Sequence, residues 1–142
     1  MRKVKTMARE IKFRAWSKVE EEMVYGIDLT TQDGTAHPIN GNWDNIMSLD
    51  ERVELMQYTG LKDKNNVEIY EGDIFGIDNI DGGIEATGKV VFDQDFAQFT
   101  IQYTNGGWAE LWQHLQENKN QAREVIGNIY ENPDLLKGEP NE

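Results

Sequence analysis

The sequence predicts a small, mainly β fold, on three kinds of evidence within its 142 residues. Apolar and polar residues alternate with period two in several runs, which is typical of strands with one buried face. Clusters of glycine, asparagine and aspartate separate these runs and indicate turns. One segment, 108–118, instead spaces its apolar residues as an amphipathic helix does. We therefore expect a curved antiparallel sheet covered by one helix.

The first two alternating runs, 10–16 and 22–30, predict an N-terminal hairpin across the polar turn at 17–21. Trp16 lies on the opposite face of its strand from Phe13 and Ile11, so it is free to cover a second core, a subunit contact or a ligand groove. The next segment, 31–48, carries glycine, proline and scattered polar residues and predicts a loop, in which Trp43 serves as an anchor to the core.

Turn chemistry is densest between 58 and 73. A strand over 52–58 precedes it, and Asn65-Asn66 is suited to close a hairpin because asparagine tolerates positive φ. Gly72 then predicts a bend before a strand over 73–77.

Two further strands, 84–93 and 96–103, are predicted on either side of a turn at Gln94-Asp95. The helix over about 108–118 then places four residues on one buried stripe: Trp108, Leu111, Trp112 and Leu115. His114 lies at the border of that stripe and is expected at the surface, as is His37. A last strand over 124–130 and a short helix begun by Asn132-Pro133 complete the prediction.

The charge distribution divides the chain. Residues 1–18 hold seven basic residues against one acid, a net +6, whereas residues 19–142 hold seven bases and 25 acids, a net −18. An acidic body repels nucleic acid, so the charge argues against nucleic acid as a partner. The basic arm, 1–8, is expected to be flexible, and it could touch DNA, fold onto its own body or contact a neighbouring subunit. We expect one domain over 9–137 and a disordered tail over 138–142.

The sequence lacks the residues that several classes of functional site require. Cysteine is absent, which excludes disulfides, thiolate catalysis and cysteine-based zinc sites. Phosphate-binding glycine loops, nucleophile elbows and close histidine pairs are also absent. Three acids, Asp73, Asp78 and Asp81, suggest a weak hypothesis of a metal-dependent hydrolase, and Asp93 with Asp95 could bind a weak cation. We therefore predict no catalytic, cofactor or metal residue, no membrane span, and a cytoplasmic protein.

Aromatic residues supply the remaining candidates. We predict a possible interaction surface from four of them: Trp16, Trp43, Tyr58 and Tyr70. Such rings combine a large apolar area with a polar edge, which suits contact with a partner.

Three segments, REIKFRAW at 9–16, LMQYTGLKDKNNVEIYEGDI at 55–74 and EVIGNIYENPDLL at 124–136, resemble the YopX family of phage and prophage proteins. The resemblance implies an SH3-like bent barrel and no established activity or catalytic residue. Asn66 stands where the family usually has glycine. The family also begins just before REIKFRAW, which makes Met7 an alternative start.

The resemblance and the missing catalytic motifs together predict a non-enzymatic binding or assembly module that associates with itself or with a host or phage protein. The alternative is an acidic DNA mimic that inhibits a host nucleic-acid-processing protein, because residues 19–142 are so strongly negative.

Overall fold

The computed structural model describes residues 10–28, 35–38, 47–48, 53–78, 84–116 and 123–136. Their strands, in chain order, are β1 (Phe13–Ser17), β2 (Glu22–Tyr25), β3 (Ile27–Asp28), β4 (Thr35–Pro38), β5 (Met47–Ser48), β6 (Val53–Lys62), β7 (Glu68–Tyr70), β8 (Asp73–Asp78), β9 (Ile84–Asp93), β10 (Gln98–Tyr103), β11 (Trp108–Glu110) and β12 (Arg123–Asn128). One α-helix, α1 (Leu111–Gln116), and one 3-10 helix (Pro133–Leu136) accompany them. The predicted mainly β class is therefore confirmed.

The strands pair antiparallel in three sheets. A four-stranded sheet has the order β2-β1-β6-β7, and a five-stranded sheet has the order β11-β10-β9-β8-β12. A small sheet has the order β3-β4-β5. Its strands β4 and β5 lie in the segment 31–48 that the sequence predicts as a loop, so that prediction is wrong for these two short strands. The sheets curl as an antiparallel half-barrel, and the SH3-like arrangement stays a prediction.

Local turn chemistry fixes the hairpins. The predicted pairing of the first two strands is confirmed, with Ala15 opposite Val24. Asn66 closes the β6–β7 hairpin with φ of 66°, as its sequence position predicts. Asp63 supports this turn, because its Oδ1 accepts hydrogen bonds from the amides of Asn65 and Val67, both at 2.9 Å.

The core of the larger sheet is built from side chains that alternate inward along neighbouring strands. Five fully buried residues form it: Ile69, Phe75, Val90, Ile101 and Leu111. The last of these belongs to α1, so the helix does seal this sheet as predicted, and Leu115 packs at the margin of the same cluster.

The helix itself corrects the sequence prediction. It begins at Leu111, because 108–110 pair with β10 as a strand. Trp108 and Trp112 therefore leave the buried stripe and are 57% and 56% exposed. His114 takes an inward position instead of a surface one. Its ring is buried, and Nδ1 lies 2.6 Å from the hydroxyl of Tyr103.

A buried ion pair joins the two larger sheets. The Nη2 of Arg14, on β1, donates to Oδ1 of Asp73, on β8, at 2.8 Å, and both side chains are 3% exposed. The same Nη2 donates to the carbonyl of Glu71 at 3.1 Å. The other carboxylate oxygen of Asp73 accepts the amide of Tyr70 at 2.8 Å. Both charges are thus neutralised and hydrogen-bonded, which buried ions require.

Four further contacts reinforce this junction. Gly72, with φ of 84°, donates its amide to the carbonyl of Val90 at 2.8 Å and accepts the amide of Ile129 at 2.9 Å, which confirms the predicted bend. Trp16 stacks on Tyr130 with ring centroids 5.7 Å apart. The amide of Val125 donates to Oδ2 of Asp63 at 3.0 Å.

The exposed turn residue Ala97 offers a test of backbone strain. Its φ of 50° is a left-handed conformation that costs a residue with a Cβ about 1–2 kcal/mol. Ala97→Gly should therefore raise the free energy of unfolding by about 0.5–1 kcal/mol in urea titrations, after glycine's entropy is counted. Ala109→Gly, in strand β11, should lower the free energy of unfolding by a similar amount. If both variants raise it, or both lower it, Ala97 does not carry the backbone strain described.

The buried ion pair offers a second test. Asp73→Asn leaves the guanidinium of Arg14 buried without its counter-ion, and we expect a loss of about 3–5 kcal/mol in the free energy of unfolding. The matched control is Glu54→Gln, which breaks a half-exposed pair with Lys18 at 2.8 Å and should cost less than about 1 kcal/mol.

The double variant R14M/D73N should be more stable than Asp73→Asn alone, because it removes both buried charges. A loss for Asp73→Asn no larger than that of Glu54→Gln would show that the pair does not hold the sheets together.

Candidate functional site

The structure places the predicted aromatic surface mostly inside the molecule. Tyr58 and Tyr70 are each 4% exposed and pack against one another with ring centroids 5.4 Å apart. Trp16 is half-buried in its stack on Tyr130. Trp43 lies outside the described residues. The two tyrosines and Trp16 are therefore brought to the sheet junction, where they serve packing first.

A cavity of about 260 Å³ opens beside this junction. Its lining comprises Arg14, Tyr25, Val67, Glu68, Tyr70, Asp73, Val125, Gly127 and Asn128. The guanidinium of Arg14 lies 4.8 Å from the ring centroid of Tyr70, a cation–π distance. Its Nε is buried with no hydrogen-bond partner among the described residues. Because the Nε of Arg14 is buried, it cannot contact a ligand in the cavity. We therefore interpret the cavity as part of the structural junction.

Burial and charge perturb several groups around the junction. Burial raises the pKa of Asp73 above its ordinary value, and the attraction of Arg14 offsets this only in part. Burial also raises the pKa of Tyr58, Tyr70 and Tyr130. The carboxylate of Glu68, hydrogen-bonded to Lys12, raises the pKa of that lysine.

Metal binding at the predicted acids finds no support in this arrangement. Asp73, the first of them, is occupied by Arg14 and by the amide of Tyr70. Asp81 lies outside the described residues, and nothing is described of the side chain of Asp78. Within the ranges that the structure describes, no three histidine, aspartate or glutamate side chains gather closely enough to hold a metal ion.

A second concave region lies on the outer face of the five-stranded sheet, and we call it the aromatic groove. Its volume is about 280 Å³, and its lining comprises Asp93, Phe96, Thr100, Gln102, Tyr103, Gly106, Gly107 and Trp108. The rings of Phe96 and Trp108 lie nearly parallel, with a centroid separation of 6.3 Å and an interplanar angle of 20°. Phe96 is 65% exposed.

Strand register explains why Trp108 faces this groove. Gln102 on β10 pairs with Trp108 on β11, and Thr100 pairs with Glu110. Directly paired residues lie on the same face of a sheet. Trp108 therefore stands on the face opposite Ile101 and the core, and the side chain of Thr100 is nevertheless only 1% exposed on that outer side.

The β9–β10 turn supplies the other wall. Oδ1 of Asp93 accepts hydrogen bonds from the amides of Asp95 and Phe96, at 2.9 and 3.3 Å. Ala97 continues the turn with positive φ. Asp93 is thus a turn-forming residue, and the cation site considered for it with Asp95 stays an untested prediction. The turn holds the Phe96 ring beside Trp108.

Sequence reasoning missed this groove for a definable reason. The spacing of Trp108, Leu111 and Trp112 fits a helix, so Trp108 was assigned to the core stripe. The signal that could have found it is Gly106-Gly107, because a tight turn here returns the chain as a strand beside β10. A binding face formed by two exposed rings and flanked by carboxylates suits a cationic or apolar side chain.

The helices of the described residues are too short, and too polar, to cross a bilayer.

The three tyrosines with raised pKa, Tyr58, Tyr70 and Tyr130, lead to a pH prediction. Above their ordinary pKa of 10.0, the unfolded chain loses phenolic protons that the folded chain keeps. The unfolded state then binds fewer protons, so the free energy of unfolding falls as pH rises. The raised pKa of Lys12 also makes the free energy of unfolding fall as pH rises. Urea titrations between about pH 9 and pH 11 should show this fall, and Tyr130→Phe should reduce its slope; a flat profile would contradict it.

Two bacterial proteins are among the solved structures that this chain resembles. Protein EF1440 from Enterococcus faecalis is 28% identical, with a TM-score of 0.61, over 92% of this chain and 100% of that one. Protein yopX from Bacillus subtilis is 20% identical, with a TM-score of 0.60, over 89% of this chain and 98% of that one, and shows the shared fold.

A search of curated proteins found no match. The family model described as YopX protein matches residues 12–137, which include both larger sheets and the 3-10 helix. The resemblance noted in the sequence is thereby confirmed: the chain belongs to the YopX family.

Proposed function

We propose that this protein is a non-enzymatic binding module that associates with a second copy of itself through the aromatic groove. The single observation that carries the proposal is the pair of parallel, exposed rings of Phe96 and Trp108. An exposed aromatic pair of this kind is costly to leave in water and is typical of a surface that a partner covers.

The size of the groove favours a protein side chain over a small molecule. Its volume of about 280 Å³ lies at the lower limit of the ~300–1,000 Å³ usual for small-molecule sites, and a protein side chain fills a space of this size. The sheet edge beside it, β11, is only three residues long, so a partner gains more from the rings than from added strand pairing.

The chemistry of the described residues also favours binding over catalysis. Asp73, which burial perturbs, is held by Arg14, and His114 is buried against the ring of Phe75 at a centroid separation of 5.6 Å. A general acid or base needs access to its substrate, and neither group has it.

We further propose that the protein is a phage or prophage accessory product acting in the cytoplasm of a bacterial host. Membership of the YopX family supports this setting, and the two solved relatives come from bacteria.

The test is self-association. Sedimentation velocity of the full chain over a range of concentrations should show a monomer–dimer equilibrium. Phe96→Ser should weaken it at least about tenfold, because the ring supplies half of the aromatic pair. The matched control is Val19→Ser, which removes an equally exposed apolar side chain, 71% exposed, from the β1–β2 turn and should leave the equilibrium unchanged.

A wild-type chain that stays monomeric at the highest concentration, or equal effects of Phe96→Ser and Val19→Ser, would overturn the proposal. Capture of a host nucleic-acid-processing protein by a monomeric chain would instead favour the DNA-mimic hypothesis.

A further inference from the structure

We infer that the occupant of the aromatic groove is the basic N-terminal segment, residues 1–9, of the second copy. This inference rests on the proposed self-association and goes beyond it, because it names the segment that is bound and the chemistry that binds it.

Charge complementarity is the first argument. Residues 1–9, with the sequence MRKVKTMAR, hold four cationic side chains and no acid. The groove is lined by Asp93, and Asp95 follows in the same exposed turn. Glu110 lies two residues from Trp108, and therefore on the same face of β11. Lys89, paired with Gln102, is the one basic residue that the described strand pairings add to this face.

Side-chain chemistry is the second argument. A lysine or arginine gains energy over the face of tryptophan or phenylalanine, and its aliphatic stem covers apolar surface. The segment alternates such residues with Val4 and Met7, whose apolar side chains suit the apolar surface beside the rings. The body of this same protein shows the preference, since Lys12 lies 4.8 Å from the ring centroid of Tyr58.

The position of the groove is the third argument. The described chain begins at Glu10 and enters β1 in the four-stranded sheet. That sheet meets the five-stranded sheet at β8 and β12, through Arg14–Asp73 and Asp63–Val125. The groove lies at the opposite edge, on β10 and β11. Two copies that exchange their segments bury both grooves at once, which closes a symmetric dimer.

The experiment changes the charges of the segment in the full chain. R2Q/K3Q/K5Q removes three cations from it, and the matched control, K18Q/K62Q/K64Q, removes three from exposed positions elsewhere, so both have the same net charge. In sedimentation velocity, the segment variant should raise the dimer dissociation constant at least about tenfold, and the control should stay within about twofold of the wild type.

A peptide probe then locates the contact. The synthetic peptide of residues 1–9 should bind the R2Q/K3Q/K5Q chain saturably, with a change in tryptophan emission, and the binding should weaken as salt rises. A peptide with glutamine at all four cationic positions should not bind. Neither peptide should bind the same chain carrying Phe96→Ser.

Each failure has its own meaning. If Phe96→Ser abolishes dimerisation but R2Q/K3Q/K5Q does not, the proposed function stands and this inference is wrong. If the wild-type chain is monomeric, the proposed function fails, and exchange between copies fails with it. Equal weakening by the two triple variants would show a general charge effect and would also overturn the inference.

Discussion

The buried contact between Arg14 and Asp73 is the constraint on which the rest of the fold depends. Two ions removed from water must be paired and hydrogen-bonded, and the partners here come from the turn at 70–73. Because Arg14 belongs to β1 and Asp73 to β8, satisfying the charges fixes one sheet against the other. Tyr70 is held at the same junction, because its ring faces the guanidinium of Arg14 and its backbone amide donates to the carboxylate of Asp73.

This constraint separates the molecule into an inner and an outer set of aromatics. The inner rings, Tyr58, Tyr70, Trp16 and Tyr130, pack around the junction. The outer rings, Phe96 and Trp108, lie at the far edge of the other sheet, where both are exposed. The junction and the proposed binding surface therefore lie at opposite ends of the five-stranded sheet, and we expect a change at the groove to leave the junction intact.

Features set by neighbouring residues were predictable from the sequence. Asn66 at a positive φ, the bend at Gly72 and the N-terminal hairpin each depend on a few adjacent residues, and all were found. The buried inner face of β10, with Ile101 at its centre, follows from period-two alternation in the same way.

Features set by distant partners were not predictable. Arg14 and Asp73 are 59 residues apart, and the sequence around each residue gives no sign of the pairing. Trp108 fits a helical stripe as well as a strand, and only its pairing with Gln102 decides which way the side chain points. His114 looks polar in isolation, but the hydroxyl of Tyr103 gives its ring a buried partner. The candidate groove depends on all of these long-range choices, which is why it emerges only from the fold.

The stack of Trp16 on Tyr130 has a kinetic consequence. The two rings are separated by nearly the whole described chain, whereas β8, β9 and β10 pair through successive short connections. Loop-closure entropy makes the local hairpins form early and the end-to-end contact form late. We therefore expect β1 to dock against Tyr130 late in refolding, and a change in the emission of Trp16 would time that step.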